Sequence, residues 1–456
     1  MAAQCAETAA RAQAVLSLTR RGDVRFISQM TRRNQLLALF CLLGFAALGV
    51  LYFQHWVVQK PFGIVLFIGE GLTPSRLAAT RAYAGGADSA LALDSFSQVA
   101  LLTNYSADFA TPDSAAAASA LATGVKVNNR AISRDASGAS LSTLLELAHS
   151  AGRATGLVTD GRITDATSAA FYAHEDDADD HAQTARILAE NGSLDLVLGG
   201  GGADFLSETK AGSRTDGRDV SQEMRRGGYE LARTKGELEA VPRWRRPKIF
   251  GMFAPTEFTF ADQLETRAEQ PSLSDMVRRG IELLQFNRTG YLLVVDAALM
   301  RKAAHANNGE QTLLETLELD RAIATAQRYM GAESMIVVCG DVGIGGLAIN
   351  GSPFRQDRGI ALLGLSSAGD PSLTWATGPN GVTSYGAAKV QTSTEPHPNN
   401  EPSSSAPQQE EPAAFYAKSA LNTLEDVPAF GSGLGTESLH GTMDNTEIFE
   451  LIRRQF

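Results

Sequence analysis

Cysteine is scarce in this chain, with three residues in 456. Three cysteines cannot build a disulfide framework, and no Cys-x-x-Cys pair is present to indicate a structural zinc site. The chain also lacks clusters of lysine and arginine interleaved with aromatic residues, and its formal net charge is −11, which excludes nucleic acid as a partner. Apolar residues are plentiful at 44%, against 20% charged residues, which excludes disorder over most of the chain.

The longest apolar run lies near the amino end, where residues 36–53 read LLALFCLLGFAALGVLYF without a charge or a proline. A helix of this length spans about 27 Å, close to the thickness of a hydrocarbon core. Residues 1–33 carry six arginines against two acids, which leaves −15 for the rest of the chain. This asymmetry predicts a single-pass membrane protein with a cytoplasmic amino end and a periplasmic or extracellular main domain.

We therefore expect three segments: a basic cytoplasmic tail over 1–33, a transmembrane anchor over 34–58 and a globular domain over 61–456. A cleaved signal peptide is one alternative, but the run is long and no A-x-A-like site follows it. A buried core helix is the other alternative, and the flanking arginines count against it. Met30 is an alternative start that leaves almost no cytoplasmic tail.

After the apolar segment, runs that are apolar on both faces alternate with helical patterns. The runs are IVLFI (64–68), DLVLGGG (195–201), YLLVV (291–295) and MIVVC (335–339), and the helical patterns cover 140–151, 181–191, 274–286 and 310–330. This alternation predicts an α/β fold with a doubly wound, mostly parallel sheet flanked by helices. Residues 391–412, rich in Pro, Ser, Gln and Glu, are predicted to be a low-complexity insert.

Three of the apolar runs are followed by a carboxylate: Glu70, Asp296 and Asp341. In open α/β sheets, ligands bind outside the carboxyl ends of the strands. A single acid at such a position could equally be a turn residue or a helix cap. Three like charges gathered at one edge indicate a cation, because they repel one another without it.

A serine begins an alanine-rich stretch in TPDSAAAASALATGVK, residues 111–126. Ser114 is thus predicted at a helix N-terminus, where free N–H groups favour an anion, although an ordinary N-cap serine has the same spacing. Other segments follow in a fixed order: VLFIGEGLTPSR, PDSAAAASALATGVKVNNRAIS, RITDATSAAFYAH, VVDAALMRKAAHANN, VVCGDVGIGG and EDVPAFGSG with HGTMDNTEIF. Over 61–456, apart from the insert, the chain resembles the alkaline phosphatase family.

The resemblance implies a phosphomonoesterase, often dimeric, in which a serine attacks phosphate beside two zinc ions and one magnesium ion. Ser114 matches the nucleophile. The magnesium ligands are matched by Glu70, Asp165, Thr167 and Asp296, and zinc ligands by Asp341, His305 and, as a bridging residue, Glu70. A phosphate ester is the implied ligand, and a homodimer the implied assembly.

Four positions depart from the family pattern. Arg301 stands where the family has a zinc-binding aspartate, Val342 and Asn422 where it has zinc-binding histidines, and Ala178 where it has a phosphate-binding arginine. Zinc needs about three N, S or O ligands, so we do not expect it at stoichiometric occupancy. The four oxygen donors of the magnesium position suit Mg²⁺ or another hard divalent cation.

Arg301 has two interpretations: a phosphate clamp that replaces zinc, or an ion-pairing plug on Glu70 and Asp341. Two functional hypotheses follow. The first is a membrane-anchored pseudophosphatase that binds a ligand or partner without hydrolysis. The second is a divergent phosphoester hydrolase that uses Ser114, one hard cation and Arg301.

Overall fold

The computed structural model describes residues 32–51, 62–86, 88–245, 248–263, 268–331, 333–350, 363, 371–382 and 411–456. The chain divides into two compact units, residues 1–59 and 60–456. In the first, helix α1 (Arg32–Leu51) is long and apolar enough to cross a membrane, a property that it shares with signal sequences. The predicted basic tail lies outside the described residues except for its last two, and so does the predicted insert except for Glu411 and Pro412.

The described helices of the larger unit pack around one extended sheet. They are α2 (Pro74–Gly85), α3 (Ser114–Thr123), α4 (Leu144–Ser150), α5 (Ala166–Ala169), α6 (His181–Asn191), α7 (Val220–Arg226), α8 (Lys235–Ala240), α9 (Leu273–Leu284), α10 (Leu299–His305), α11 (Gly309–Tyr329) and α12 (Glu447–Arg453).

The strands of the ten-stranded sheet are β1 (Gly63–Gly69), β2 (Gln98–Thr103), β3 (Ala154–Arg162), β4 (Leu196–Gly200), β5 (Tyr229–Ala232), β6 (Lys248–Met252), β7 (Tyr291–Ala297), β8 (Ser334–Gly340), β15 (Val427–Gly433) and β16 (Gly441–Asp444). Smaller sheets contain β9 (Gly343–Ile344), β10 (Ala348–Ile349), β11 (Leu373–Gly378), β12 (Gly381–Val382), β13 (Ala413–Tyr416) and β14 (Asn422–Thr423).

The order of the large sheet is β16-β2-β15-β8-β1-β7-β3-β4-β6-β5. Its central strands are parallel, and β15 runs antiparallel to both β2 and β8. Alternate residues of β1 contribute to two hydrophobic cores, Leu66 and Ile68 to one and Val65 and Phe67 to the other. Because helices cover both faces of the sheet, β1 is apolar throughout, and the runs within β7 and β8 are apolar on both faces. The predicted doubly wound, mostly parallel fold is confirmed.

The four apolar runs form β1, β4, β7 and β8, and the four helical patterns form α4, α6, α9 and α11. Strand β3 was missed by the apolar criterion because its sequence, ATGLVTDGR, interleaves Gly, Thr and Asp with few large apolar residues. It nevertheless lies between β7 and β4, in the middle of the sheet.

A buried carboxyl group on α11 lies outside the predicted site. Glu315 is 2% exposed, and its Oε1 accepts a hydrogen bond of 2.6 Å from the backbone N–H of Ala261. Burial, with the nearby Asp160 charge as a smaller cause, raises the pKa of Glu315 to about 9. The folded chain therefore retains this proton at neutral pH, whereas the unfolded chain releases it at about pH 4.3.

Replacing Glu315 by glutamine is expected to stabilise the protein at alkaline pH. The stability of the unaltered chain falls as pH rises from about 5 to 9, because only the unfolded state ionises there. A glutamine side chain cannot ionise, so the Glu315→Gln variant should gain roughly 5 kcal/mol at pH 8 and under about 1 kcal/mol at pH 4.5. Urea unfolding at both pH values measures this, with the exposed Glu190→Gln as control. An equal effect at the two pH values would contradict the prediction.

Candidate functional site

The three predicted strand-end acids lie together at the carboxyl edge of the sheet. Strand β1 lies between β8 and β7, and the register pairs Ile68 with Asp296 on one side and Cys339 on the other. Glu70 and Asp341 follow β1 and β8 directly, and each of the three acids is at most 1% exposed. The order β8-β1-β7 thus places the acids on adjacent strands.

Asp165 and Thr167 reach the same edge after β3, Asp165 as the N-cap of α5 and Thr167 within that helix. The carboxylate of Asp296 is oriented by this region, because its Oδ2 accepts hydrogen bonds from Thr159 Oγ1 at 3.1 Å and Ser168 Oγ at 2.7 Å. Strand β3 neighbours β7, which explains the contact. Sequence reasoning missed Thr159 and Ser168, since a hydroxyl beside a motif carries no distinctive spacing.

Within the described residues, several buried oxygens at this edge have no hydrogen-bond partner. They are Glu70 Oε1, Thr167 Oγ1, Asp296 Oδ1 and Asp341 Oδ2. Buried polar atoms without partners are uncommon in folded proteins, and oxygen donors are the ligands that hard cations prefer. These atoms fit a hard cation by their chemistry.

Arg301 lies in α10 with its guanidinium on two of the acids. Its Nε forms a close ion pair with Glu70 Oε2, and its Nη2 donates to Asp165 Oδ2 at 3.1 Å. Sequence reasoning gave Glu70 and Asp341 as partners for a plug. In the structure Asp165 takes the second place, while Asp341 Oδ1 accepts from the backbone N–H of Gly71 at 2.8 Å. The described hydrogen bonds of Arg301 do not include Ser114.

Burial raises the pKa of Glu70, Asp296 and Asp341 above that of an ordinary carboxyl group, and the charge of Arg301 opposes this rise. The guanidinium in turn has a raised pKa, chiefly because of the Glu70 charge, and stays protonated. Arg301 is therefore a permanent counter-ion within the acidic cluster.

A second guanidinium lies beneath the acids. Arg76, in α2, is 1% exposed and its Nη1 donates to the backbone carbonyl of Glu70 at 3.1 Å. Burial lowers the pKa of Arg76 to about 10, with the Asp341 charge opposing, so it remains charged at neutral pH. Four carboxyl groups thus face two guanidinium groups, and the site is negative when all four are ionised.

The positions that the resemblance assigns to zinc do not form a zinc site. His305 Nδ1 bonds the carbonyl of Ala420 at 2.6 Å, which leaves Nε2 as one nitrogen donor. Val342 is fully buried without a donor atom, and Asn422 donates its amide to the carbonyl of Pro112 at 3.0 Å. Zinc does not fit this set.

Ser114 is the first residue of α3, where Asp113 caps the helix. Asp113 Oδ1 accepts from the N–H of Ala116 at 2.8 Å and its Oδ2 from the N–H of Arg130 at 2.6 Å. The helix ends at Gly124, whose φ of 72° suits glycine. The serine hydroxyl therefore has the predicted place, at a helix N-terminus.

Arg130 was not singled out by sequence reasoning. It has a left-handed φ of 72°, uncommon outside glycine, and its carbonyl accepts from the N–H of Ala178 at 2.9 Å. Its exposed guanidinium pairs with Asp177 at 2.6 Å and Asp179 at 2.9 Å. A cation thus lies beside the position that carries Ala178, although its charge is directed to these two acids.

A cavity of about 280 Å³ opens beside Arg301. Its lining comprises Gly161, Arg162, Asp165, Glu257, Ala298, Leu299, Arg301, Lys302, His305 and Ser419. Glu257 forms ion pairs with Lys302 at 2.5 Å and with Arg162 at 3.6 Å, so the cationic lining is partly neutralised. Of the four acids of the cluster, Asp165 lines the cavity, together with Arg301.

The architecture is that of α/β phosphoester hydrolases. It combines the large sheet, the acids at its carboxyl edge and the helix that begins at Ser114. A family model described as alkaline phosphatase matches residues 63–455. The chain belongs to the alkaline phosphatase family.

The chain is 28% identical to the tissue-nonspecific alkaline phosphatase of Gallus gallus over 452 residues, which cover 87% of this chain and 84% of that protein. It is 32% identical to alkaline phosphatase H of Pseudomonas aeruginosa, covering 62% of this chain and 69% of that one. Among solved structures, a TAB5 alkaline phosphatase variant with Mg bound in the M3 site aligns with a TM-score of 0.67 at 21% identity, over 87% of this chain and 98% of that chain. Thermus thermophilus alkaline phosphatase aligns with a TM-score of 0.68 at 22% identity, over 86% and 91%.

Proposed function

We propose that this chain is a membrane-anchored pseudophosphatase, an alkaline phosphatase fold that has lost zinc-dependent phosphomonoester hydrolysis. The observation that carries the proposal is the ion pair of Arg301 with Glu70 and Asp165. A guanidinium is never a metal ligand at neutral pH, because it has no free lone pair to donate. It supplies inside the chain the positive charge that a metal would otherwise bring.

The proposed loss of activity follows from the surroundings of Ser114. A serine hydroxyl is a weak nucleophile unless a base or a metal removes its proton. The helix N-terminus stabilises an anion by about 1 kcal/mol, far less than an uncatalysed phosphate ester requires. His305, the nitrogen donor at the zinc positions, directs Nδ1 to Ala420.

A hard divalent cation such as Mg²⁺ is the proposed cofactor. Glu70, Asp165, Thr167 and Asp296 would hold it, in competition with Arg301. When bound, it would neutralise the acids and attract a phosphate oxygen. Magnesium in the related TAB5 variant is consistent with this choice. Because the acids outnumber the guanidinium groups, a phosphate ester is expected to bind only with such a cation.

The chain's own residues then have distinct tasks. Thr159 and Ser168 orient Asp296, and the backbone of Gly71 orients Asp341. Arg301 neutralises Glu70 and Asp165 when no other cation is present. We further propose that α1 anchors the chain, that the main domain lies in the periplasm or outside the cell, and that the protein forms homodimers.

The Ser114→Ala variant tests the proposal. The full chain in detergent is incubated with p-nitrophenyl phosphate and Mg²⁺, Mn²⁺ or Zn²⁺. We expect the unaltered chain and the variant to hydrolyse it equally slowly, because Ser114 has no activator. Serine-dependent turnover at ten times the variant's rate or more would refute the pseudophosphatase.

The second candidate function is a divergent phosphoester hydrolase that uses Ser114, one hard cation and Arg301. The unpartnered Glu70 Oε1, Thr167 Oγ1 and Asp296 Oδ1 favour it, because they are free to bind such an ion. Turnover that requires both Mg²⁺ or Mn²⁺ and Ser114, and that zinc does not support, would establish this function instead.

A further inference from the structure

We infer that the edge of the large sheet where its central strands begin rests on an anionic lipid bilayer. The contact surface, termed the amino-edge face, comprises Phe62, Phe286, Arg288, Arg328 and Tyr329. It lies at the opposite end of the strands from Glu70, Asp296 and Asp341. The inference rests on the proposed membrane anchor and goes beyond the proposed function, because it assigns a lipid-binding surface to the globular unit itself.

Backbone hydrogen bonds fix the place of Phe62. Its N–H donates to the carbonyl of Glu333 at 2.7 Å, and its carbonyl accepts from the N–H of Tyr291 at 3.1 Å. Glu333 precedes β8 and Tyr291 begins β7. Phe62 thus lies between the starts of two parallel strands, directly before β1.

Two more aromatic residues reach the same edge. Tyr329 is the last residue of α11, which leads to β8, and Phe286 follows α9, which leads to β7. The exposed fractions of Phe62, Phe286 and Tyr329 are 39%, 40% and 41%. Exposed aromatic rings gathered at one place are typical of contact surfaces, and such rings are favoured at the interface between a bilayer and water.

The charges at the two edges of the sheet also favour a membrane contact at the amino edge. Arg288 and Arg328 are exposed and form no ion pair within the described residues. Glu333, which is also exposed, directly precedes β8 at this edge. At the carboxyl edge, Asp176, Asp177 and Asp179 are paired with Arg134 and Arg130, which leaves one net negative charge. An anionic membrane attracts a nearby arginine by about 1 kcal/mol and repels this net negative charge, which orients the domain.

The chain length supports a bilayer as the occupant. Helix α1 ends at Leu51 and β1 begins at Gly63. The intervening residues 52–62 can span at most about 40 Å when fully extended. A membrane that holds α1 therefore lies within that distance of Phe62, and the amino-edge face is next to this attachment point.

Fluorescent labels on single cysteines test the inference in the full chain, reconstituted in vesicles of phosphatidylcholine and phosphatidylglycerol. With Cys5 and Cys41 changed to serine, a label is placed at Phe286→Cys or Tyr329→Cys. The matched control is Phe109→Cys, near Ser114, whose native side chain is 61% exposed. Cys339 is fully buried and Cys41 lies within α1, so labelled Cys41 in the Cys5→Ser chain reports insertion.

We expect a lipid with a nitroxide headgroup to quench the labels at 286 and 329 at least twofold more than the label at 109. Combining Arg288→Glu with Arg328→Glu should abolish that difference, and thermal unfolding verifies that the variants fold.

Equal quenching at 286 and 109 with Cys41 in the hydrocarbon would overturn the lipid contact alone. If labelled Cys41 is outside the hydrocarbon, both the contact and the anchor fail. If the label at 286 is shielded from water to a degree that depends on protein concentration, and the lipid does not quench it, a second copy of the chain covers this face. That result would overturn the inference.

Discussion

Replacing Arg301 by alanine is expected to destabilise the protein by about 3 kcal/mol at pH 8, because buried acids lose their counter-ion. Glu70 is fully buried and Arg301 is 30% exposed, so the pair is screened little by solvent. Without the guanidinium, the pKa values of the neighbouring carboxyl groups should rise further. Urea unfolding of the full chain in detergent measures the loss.

The sign of the pH dependence follows from these raised pKa values. At pH 5 the buried carboxyl groups are largely protonated in the folded state, so the variant should lose little. As pH rises, the acids of the folded unaltered chain ionise beside Arg301 while those of the variant remain protonated, so the variant's loss grows. The control Arg186→Ala removes an exposed pair with Glu190 and should cost under about 1 kcal/mol at either pH. A loss under about 1 kcal/mol for Arg301→Ala at pH 8 would contradict the role of Arg301 as counter-ion.

Magnesium provides an independent readout of the same variant. Removal of Arg301 leaves Glu70 and Asp165 free to bind a cation, so Mg²⁺ should stabilise Arg301→Ala more than it stabilises the unaltered chain. Equal stabilisation of both chains would show that the guanidinium and the cation do not compete for these acids.

The second large effect is a gain of zinc binding. The combined variant Arg301→Asp, Val342→His and Asn422→His adds one carboxylate and two imidazoles at positions where the family has zinc ligands, and tetrahedral zinc sites use such ligands. We expect about one zinc ion per chain and an affinity roughly 10³-fold higher than that of the unaltered chain. Elemental analysis and isothermal titration of the desalted protein measure both quantities.

Adding His305→Ala to this combined variant is the control, since it removes one imidazole without restoring the cation. Zinc affinity should then fall again by at least tenfold. If the variant with His305 intact binds no more zinc than the unaltered chain, then Arg301, Val342 and Asn422 are not what excludes the metal. A thermal unfolding curve verifies that the imidazole at position 342, a buried site, leaves the fold intact.

Much of the fold could be predicted because both faces of the sheet are covered. Burial on two sides forces β1, β7 and β8 to be apolar throughout, and that pattern is visible in the sequence. The acids after these strands follow from the same reasoning. The order β8-β1-β7 could not be predicted, since β7 and β8 follow β1 by more than 200 residues and local patterns carry no information on pairing.

The site residues that escaped prediction are held by tertiary contacts. The burial of Arg76 depends on how α2 packs below Glu70, and charged side chains in a helix are usually solvated. Similarly, Arg301 was predicted to pair with Glu70 and Asp341, whereas α10 directs it to Glu70 and Asp165. Spacing along the chain identifies which residue types are present, but the direction of a helix decides which of them meet.

The guanidinium of Arg301 also bears on how the protein matures. A metal must be acquired from the surroundings after synthesis, and its supply varies with the environment. A cation carried by the chain is present at fixed stoichiometry from the moment of translation, and a chelator cannot remove it. Under the proposed function, folding of the carboxyl edge is therefore independent of the zinc supply.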